Sequence, residues 1–395
     1  MKVFGREIKF GDPEPADIVI FDEDGSEIVR KVLSQDHSIY VFNQRPEDIW
    51  IGFGVVSQFF RCVGHFQFDE AATNSRGLVI GILKQFRCIY FESCLELIKP
   101  KAVVSFIDNS STFGWLSKYC RNYPFIAIQN GSRLSYAAND NSGYHVQHLF
   151  CFGEHEKYLF PKLGYHVENF YPVGSLVASL YFDQQLVDHD EKYDLLVVST
   201  WRGNIDFQQE VKDTMYSMEC MDRLLEKYIR VKGVRAAVIL RAERNSEHWV
   251  MQELGISEEE YYRNIYGDCI DIIETDFSKR NIFPLMQQSR VILSCLSSAL
   301  VEAFGIGKKI LYCNFTGTNL YHSDFDSRII ANQSDWNIFS VHLDNLISQK
   351  SQEYQILHRE IIRYFMSYPE GSSTHELISI KIDEIIKDHY VALNK

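Results

Sequence analysis

Several features that define common classes of protein are absent from this sequence. Its 40 Lys and Arg residues are outnumbered by 53 Asp and Glu residues, and the net charge of −13 argues against a protein whose main task is to bind nucleic acid. The nine cysteines include no CxxC pair, which favours reduced thiols over a zinc site. No apolar run reaches the roughly 18 residues of a membrane-spanning helix, and the N-terminus lacks the apolar segment of a signal peptide. We therefore expect a cytoplasmic protein.

Four motifs of well-known enzyme and nucleotide-binding sites are also missing. The sequence contains no Walker A loop, no GxGxxG, no HExxH and no GxSxG. These absences remove the commonest nucleotide-hydrolysing, dinucleotide-binding, metalloprotease and esterase interpretations.

Short apolar runs do alternate with helical patterns, in two successive stretches of the chain. The predicted strands of the first stretch are Ala16–Phe21, Ser38–Phe42, Ala102–Ile107, Pro124–Ile128, His148–Phe152 and Asn169–Tyr171. Those of the second stretch are Tyr193–Ser199, Ala236–Arg241, Cys269–Ile273, Arg290–Ser294 and Lys309–Cys313. Strands separated by helices in this way indicate βαβ units and a parallel sheet.

The sequence therefore predicts an α/β fold with two Rossmann-like domains that face a cleft. We expect an N-terminal domain at residues 1–182, a polar linker at Asp183–Lys192 and a C-terminal domain at residues 193–350. Residues 351–395 read as a C-terminal helical tail. Because ligands of open parallel sheets bind beyond the carboxyl ends of the strands, the polar residues at those ends are the candidates for function.

The strongest local signal in the second domain is Arg290–Leu311. A predicted strand ends at Ser294, and Ser297 and Ser298 then open a helix that carries Glu302. The free N–H groups of such a helix start are capped by serine and attract phosphate, and Glu302 could accept bonds from ribose hydroxyls. The alternative is a plain serine-capped helix with a glycine stop.

Two arginines follow other strands of the second domain. Arg241 ends one predicted strand, where a guanidinium could clamp a phosphate or a sugar carboxylate. The alternative for Arg241 is a surface ion pair with Glu243 or Glu247. Arg202 follows the first strand of this domain. It could contact a donor ligand, or it could belong to an ordinary loop. Asp206 lies just beyond it.

In the first domain, four polar residues follow predicted strands and should line the cleft. Asp108 and Asn130 each come directly after a strand, with Arg133 close behind, although Asp108 could equally cap the next helix and Asn130 could belong to a turn. Glu154 is our choice for a general acid/base, because a carboxylate at a cleft rim can be tuned by desolvation. Its alternative is an early-helix carboxylate favoured by the helix dipole.

Four runs of the sequence together resemble bacterial surface-carbohydrate biosynthesis proteins. The runs are PKAVVSFIDNSSTFGWLSKY, FIAIQNGSR, CFGEHEKYLFPKLGYHVENFYPVGSL and SCLSSALVEAFGIGKKILY, and they occur in the same order over roughly residues 100–315. The resemblance is to GT-B glycosyltransferase-like proteins of capsule and O-antigen assembly, with the retaining β-Kdo transferases as the nearest characterised group.

The resemblance implies roles for most of the candidates. The donor nucleotide would lie on the second domain, with Ser297 and Ser298 near its phosphate and Glu302 behind them. Arg241 stands where many CMP-sugar transferases carry a His-Pro pair, so we expect it to act as a substitute. Glu154 would be the acid/base. The nucleophile would be Asp206 or Asp108, since a double displacement needs two carboxyl groups.

The resulting hypothesis is a glycosyltransferase that needs no metal and no cofactor. The first choice of donor is CMP-Kdo, and the acceptor, bound by Asn130 and Arg133, would be a surface polysaccharide or a lipid-linked glycan. A lipid-linked acceptor would require peripheral contact with the inner membrane. Two rivals remain open: an epimerase or hydrolase of nucleotide sugars on the same fold, and a non-catalytic glycan- or nucleotide-binding partner in polysaccharide assembly.

Overall fold

The computed structural model describes residues 2–3, 6–43, 48–65, 75–133, 144–182, 190–202, 209–244, 250–251, 255–295, 297–318 and 325–393. The strands of the first half are β1 Lys2–Val3, β2 Arg6–Phe10, β3 Ile18–Phe21, β4 Ile39–Phe42, β5 Asp48–Ile51, β6 Ala102–Ser105, β7 Phe125–Ile128, β8 His145–Cys151 and β9 His166–Pro172. The helices of this half are α1 Ser26–Arg30, α2 Phe53–Cys62, α3 Ser75–Ile98, α4 Ser111–Tyr119, α5 His155–Lys162 and α6 Leu176–Phe182.

The second half repeats the alternation and ends in helices. Its strands are β10 Tyr193–Val198, β11 Ala236–Ile239, β12 Val250–Met251, β13 Ile256–Ser257, β14 Asp271–Ile273, β15 Ser289–Ser294, β16 Lys309–Cys313 and β17 Ile330–Ala331. Its helices are α7 Gln209–Lys232, α8 Glu258–Tyr266, α9 Ile282–Gln287, α10 Ser298–Gly305, α11 Trp336–Ser348, α12 Ser351–Phe365 and α13 Thr374–Leu393.

Two six-stranded parallel sheets organise the chain. The first has the strand order β4-β3-β6-β7-β8-β9 and the second has the order β14-β11-β10-β15-β16-β17. The prediction of two Rossmann-like α/β halves is confirmed. A small sheet of β1, β2 and β5 at the N-terminus was not predicted.

Both faces of the first sheet are covered, as its uninterrupted apolar strands require. In β3, Val19 and Phe21 belong to the core on one face, whereas Ile18 and Ile20 belong to the core on the other. This division follows from the two-residue period of a strand, which directs neighbouring side chains to opposite faces.

The C-terminal helices pack against both halves of the chain. On α13, the isoleucines at 378, 382, 385 and 386 lie in the same core as Ile18 and Ile20 of the first sheet. Between these helices and the first half, Ser367 N donates to Phe152 O at 2.7 Å, and Thr374 Oγ1 donates to Val173 O at 2.7 Å. The tail thus returns to the first half and ties the two together. Among the described residues, no helix combines the length and hydropathy that crossing a membrane requires.

Candidate active site

A cavity of about 630 Å³ opens at the carboxyl ends of β10, β11 and β14. Five residues singled out in the sequence line it together: Arg202, Arg241, Ser297, Ser298 and Glu302. Ile28 of α1 and Val177 of α6 add two apolar contacts from the first half of the chain. The strand-end argument therefore brings together residues that are up to 100 positions apart in sequence.

The loop after β11 is held in place by a buried carboxylate. Glu258 at the start of α8 accepts hydrogen bonds from the backbone N–H groups of Arg241 and Ala242, both at 2.8 Å. Ser199 Oγ donates to the same carboxylate. Glu258 is fully buried, and burial raises its pKa. It fixes the backbone from which the Arg241 side chain reaches the cavity.

Arg241 and Arg202 form a pair of like charges in this cavity. Burial and, after it, the positive charge of Arg202 lower the pKa of Arg241 to about 10, while Glu258 opposes the change. Nη1 of Arg241 donates to Trp201 O at 2.8 Å, so the side chain is oriented by a neutral carbonyl. A half-buried arginine beside another cation is a favourable place for an anion.

The N-terminus of α10 lies at the same cavity, and among the described residues no side-chain cap from the N-cap position, Ser297, satisfies its N–H groups. The expectation that Ser297 would cap the helix is wrong, because its side chain makes no capping hydrogen bond. Backbone N–H groups at such a terminus attract phosphate when a side chain does not satisfy them.

Gly131 of the first half lies directly opposite Ser298. A Cβ placed on Gly131 would lie 3.2 Å from Ser298 Oγ, which is tighter than an ordinary van der Waals contact. The loop after β7 therefore meets the N-terminus of α10 across the boundary between the two sheets. Glycine at 131 permits this close approach, which sequence reasoning treated only as part of a turn.

Glu302 lies one turn inside α10 and connects three parts of the chain. Its carboxylate accepts a hydrogen bond from Ser175 Oγ. Burial raises the pKa of Glu302 to about 7, against the opposing effects of Ser175 and Arg280. The group is thus poised between the neutral and charged forms near neutral pH.

Arg280 also lines the cavity, and sequence reasoning missed it. Burial lowers its pKa, which the nearby Glu302 opposes. Its φ of 49° lies in the left-handed region, which costs a non-glycine residue roughly 1–2 kcal/mol. Such an unfavourable conformation often accompanies a functional position. Asp276 lines the same cavity, and its carboxylate accepts hydrogen bonds from Ser278 and Lys279.

The candidates of the first half form a cluster of their own. Asp108 is almost fully buried, and its Oδ1 accepts hydrogen bonds from Asn130 N at 3.3 Å and from Arg133 Nη2. Arg133 Nη2 also donates to Asn130 Oδ1 at 3.2 Å. Burial raises the pKa of Asp108, which the Arg133 cation opposes. The helix after Asp108 is capped by Ser110, whose Oγ accepts from Phe113 N at 3.2 Å.

Glu154 and Glu156 lie close in sequence but differ in environment. The Glu154 side chain is half-exposed and pairs with Lys157 Nζ at 2.7 Å. Glu156 is buried, and its carboxylate accepts bonds from Gln129 Nε2 at 3.2 Å and Gly153 N at 3.0 Å. Burial raises the pKa of Glu156 to about 7. The buried carboxylate of this segment is thus Glu156, two residues after the predicted acid/base.

The remaining candidates concern the nucleophile and metal binding. Asp206 lies outside the described residues. His145, His166 and Glu168 have ligand atoms within 4.8 Å of one another at the amino ends of β8 and β9. Arg121 Nη1 already pairs with Glu168 at 2.7 Å, so this group is accounted for as an ion-pair cluster.

Two Rossmann-like domains with a cavity at the strand ends define the GT-B fold. No protein-family model and no curated protein sequence matches this chain. Among solved structures, the wall teichoic acid polymerase TagF aligns with a TM-score of 0.53 and 12% identity, over 94% of this chain and 90% of that chain. A TagF variant described as soaked with CDPG aligns with a TM-score of 0.51 and 12% identity, over 96% and 90%. At this identity the likeness is one of fold.

Proposed function

We propose that this protein is a glycosyltransferase that takes a nucleotide sugar into the cavity on its second sheet. The observation that carries the proposal is the convergence of Arg202, Arg241 and the uncapped N-terminus of α10 on one cavity. Arginines and helix N-termini are the groups that neutralise a diphosphate or phosphate when no metal does so. Glu302 and Ser298 supply acceptors and donors suited to hydroxyl groups.

The acceptor is proposed to bind in the first half of the chain, at residues 1–182, and the donor at residues 193–350. Asn130 and Arg133 lie on the loop after β7, and Gly131 of that loop faces Ser298 of the donor site. This contact supports transfer between the two halves. The helical tail at 351–395 then joins the halves without supplying a proposed ligand. TagF, named a wall teichoic acid polymerase, agrees with an acceptor that is a surface polymer.

For the donor we propose CMP-Kdo as the first choice, with retention of configuration. Retention needs two carboxyl groups at the anomeric carbon, and the candidates are Glu154 as acid/base with Asp206 or Asp108 as nucleophile. Asp108 is buried against Arg133, so it needs that ion pair to open before it can attack. We propose that metal is not required, because arginines occupy the places where a cation would screen phosphate.

A thermal-shift panel of CMP, CDP, UDP and GDP tests the donor site. Wild type is compared with the Ser298→Ala, Arg241→Ala double variant, and with Arg244→Ala, whose side chain pairs with Glu259. A ligand at about 100 times its Kd stabilises the native state by about 2.7 kcal/mol. A shift for CMP that only the double variant abolishes supports the proposal. A shift for UDP or GDP alone discards Kdo as the donor.

The same panel and a product analysis separate the two rivals. If no nucleotide raises the thermal midpoint, the protein is the non-catalytic partner of polysaccharide assembly. Product analysis without acceptor discriminates an epimerase or hydrolase from a transferase, since a hydrolase turns over the donor fully whereas a transferase only leaks. Either outcome would overturn the transferase proposal and leave the fold unaffected.

A further inference from the structure

Helix α2 directs an apolar face to solvent, the reverse of what an ordinary surface helix does. Phe53, Val56 and Phe60 are 92%, 45% and 74% exposed, whereas Val55 and Cys62 on the other face are buried. The exposed three lie at positions i, i+3 and i+7, which share one side of a helix. The helix therefore has two apolar sides, and only one of them has a partner among the described residues.

The small N-terminal sheet, which leads into α2, carries two more exposed apolar side chains. Phe10 of β2 pairs in register with Ile51 of β5, and both are exposed, Phe10 by 73%. Paired residues of neighbouring strands point to the same side of a sheet, and α2 begins two residues after Ile51. We call the surface of Phe10, Ile51, Phe53, Val56 and Phe60 the apolar surface.

The apolar surface is held rigidly outward. Asp12 accepts hydrogen bonds from Gly54 N at 3.1 Å and from Val55 N at 2.9 Å, and so fixes the first turn of α2. Further along, Phe59 stacks on Phe86 of α3 with ring centroids 6.1 Å apart. These contacts hold α2 in the orientation in which Phe53 and Phe60 are exposed. Exposed apolar patches of this kind mark interaction sites in soluble proteins.

The charge around the apolar surface differs in sign from that of the chain as a whole. The chain carries a net charge of −13, yet no Asp or Glu occurs between residues 49 and 68 or between residues 71 and 91. Arg61 and Lys84 are exposed in these segments. The Asp12 carboxylate at the first turn of α2 accepts backbone N–H groups, and the two segments themselves contain cations and no carboxylate. Apolar side chains with cations beside them complement a membrane surface that carries anionic lipid.

We propose that the apolar surface docks on an anionic lipid membrane, with its phenylalanines in the headgroup region. No described helix could cross a membrane, so the contact would be peripheral. The inference goes beyond the proposed function and stands without it, because lipid binding is measured without turnover. If both hold, docking would place the half of the chain assigned to the acceptor against the bilayer.

Flotation of the full chain with vesicles tests the proposal. Vesicles of phosphatidylcholine alone are compared with an equal mixture of phosphatidylcholine and phosphatidylglycerol, at low and high salt. We expect wild type to float with the mixed vesicles, and the Phe53→Ser, Phe60→Ser variant to bind at least about tenfold more weakly. The matched control is Ile356→Ser, Leu357→Ser on α12, whose side chains are 67% and 50% exposed.

A second variant and a mass measurement decide the remaining outcomes. The Arg61→Gln, Lys84→Gln double variant should bind the mixed vesicles more weakly than wild type does, with no change for phosphatidylcholine alone. High salt should likewise weaken the binding of wild type to the mixed vesicles. Equal flotation of wild type and the phenylalanine variant would overturn the proposal, as would no flotation of wild type. A wild-type dimer that the phenylalanine variant dissociates, without lipid binding, would instead assign the surface to a second copy of the chain.

Discussion

Arg241 donates a hydrogen bond of 2.8 Å from Nη1 to the carbonyl oxygen of Trp201, and this contact joins the loops that follow β10 and β11. Arg202 is the next residue along the chain, so the bond helps to hold two guanidinium groups beside one cavity. Their repulsion and the burial of Arg241 are unfavourable in the free protein, and an anion that enters the cavity offsets both. Under the proposed function, the arrangement would favour binding of the donor at the expense of the stability of the free protein.

Arg241→Gln should weaken nucleotide binding without destabilising the free protein. Loss of a charge-assisted hydrogen bond to phosphate should lower the affinity by about tenfold or more. Removal of a half-buried charge beside Arg202 should leave the thermal midpoint of the free protein unchanged or raised. Calorimetric titration and thermal unfolding of the same samples measure the two effects. The control Arg244→Gln should change neither affinity nor fold, and a lowered midpoint in Arg241→Gln would assign Arg241 a structural role instead.

The contact between Gly131 and Ser298 predicts that Gly131→Ala changes ligand binding more than folding. The new Cβ would lie 3.2 Å from Ser298 Oγ, so the neighbour must shift by a few tenths of an ångström. We expect nucleotide affinity to fall severalfold while the thermal midpoint stays close to that of wild type.

The control for this substitution is Gly153→Ala. There the Cβ would lie 2.3 Å from Tyr364 O, a backbone atom that cannot move away cheaply, and a loss of about 1–3 kcal/mol in the free energy of unfolding is expected. If Gly131→Ala lowers the thermal midpoint as much as Gly153→Ala does, the contact serves folding rather than binding.

The donor-side candidates were predictable because strand ends leave a signal in the sequence. Arg202, Arg241 and Ser298 each follow an apolar run, and parallel strands bring such positions to one edge of a sheet. The same logic could not find Arg280, which lies seven residues after β14 and reaches the cavity through a left-handed turn. No local sequence pattern predicts a left-handed backbone conformation at an arginine.

Other relationships escaped the sequence because they join distant segments. The hydrogen bond from Ser175 to Glu302 spans 127 positions, and no local sequence pattern at either residue indicates the other as its partner. The apolar period of α13 indicates that one of its sides is buried, but it does not say against which sheet. For Glu154 and Glu156, position after a strand was the available signal, and only the packing of α5 separates the exposed carboxylate from the buried one.

Asp222 predicts a pH dependence of stability that belongs to the second half of the chain. Its buried carboxylate accepts hydrogen bonds from Tyr266 at 2.7 Å and Tyr261 at 3.1 Å, yet burial raises its pKa to about 7 from a model value of 3.8. Between these two pH values the folded protein binds more protons than the unfolded chain. The free energy of unfolding should therefore fall as pH rises through this range and level off above it.

Asp222→Asn should remove this contribution. Urea unfolding at about pH 5.5 and about pH 8.5 measures the loss of stability on raising the pH, and the variant should reduce that loss by more than about 1 kcal/mol. Glu226→Gln on the same helix is the control, because its carboxylate pairs with Arg230 and is not among the groups that shift the pKa of Asp222. An unchanged pH dependence in Asp222→Asn would show that this carboxyl group is already ionised in the folded protein at the lower pH.

Glu154→Gln tests the proposed acid/base. If this carboxylate exchanges a proton with the acceptor hydroxyl, the variant should lower kcat by about 10²–10⁴-fold and leave nucleotide affinity unchanged. Lys157→Met breaks the same ion pair while sparing the carboxylate, so it should retain most of the activity. Glu156→Gln imitates the neutral carboxyl group, so it should reduce the loss of fold stability as pH rises through about 7 before it affects turnover. Full activity in Glu154→Gln would reduce Glu154 to a helix-start carboxylate and would leave Asp108 and Asp206 as the carboxylates to test next.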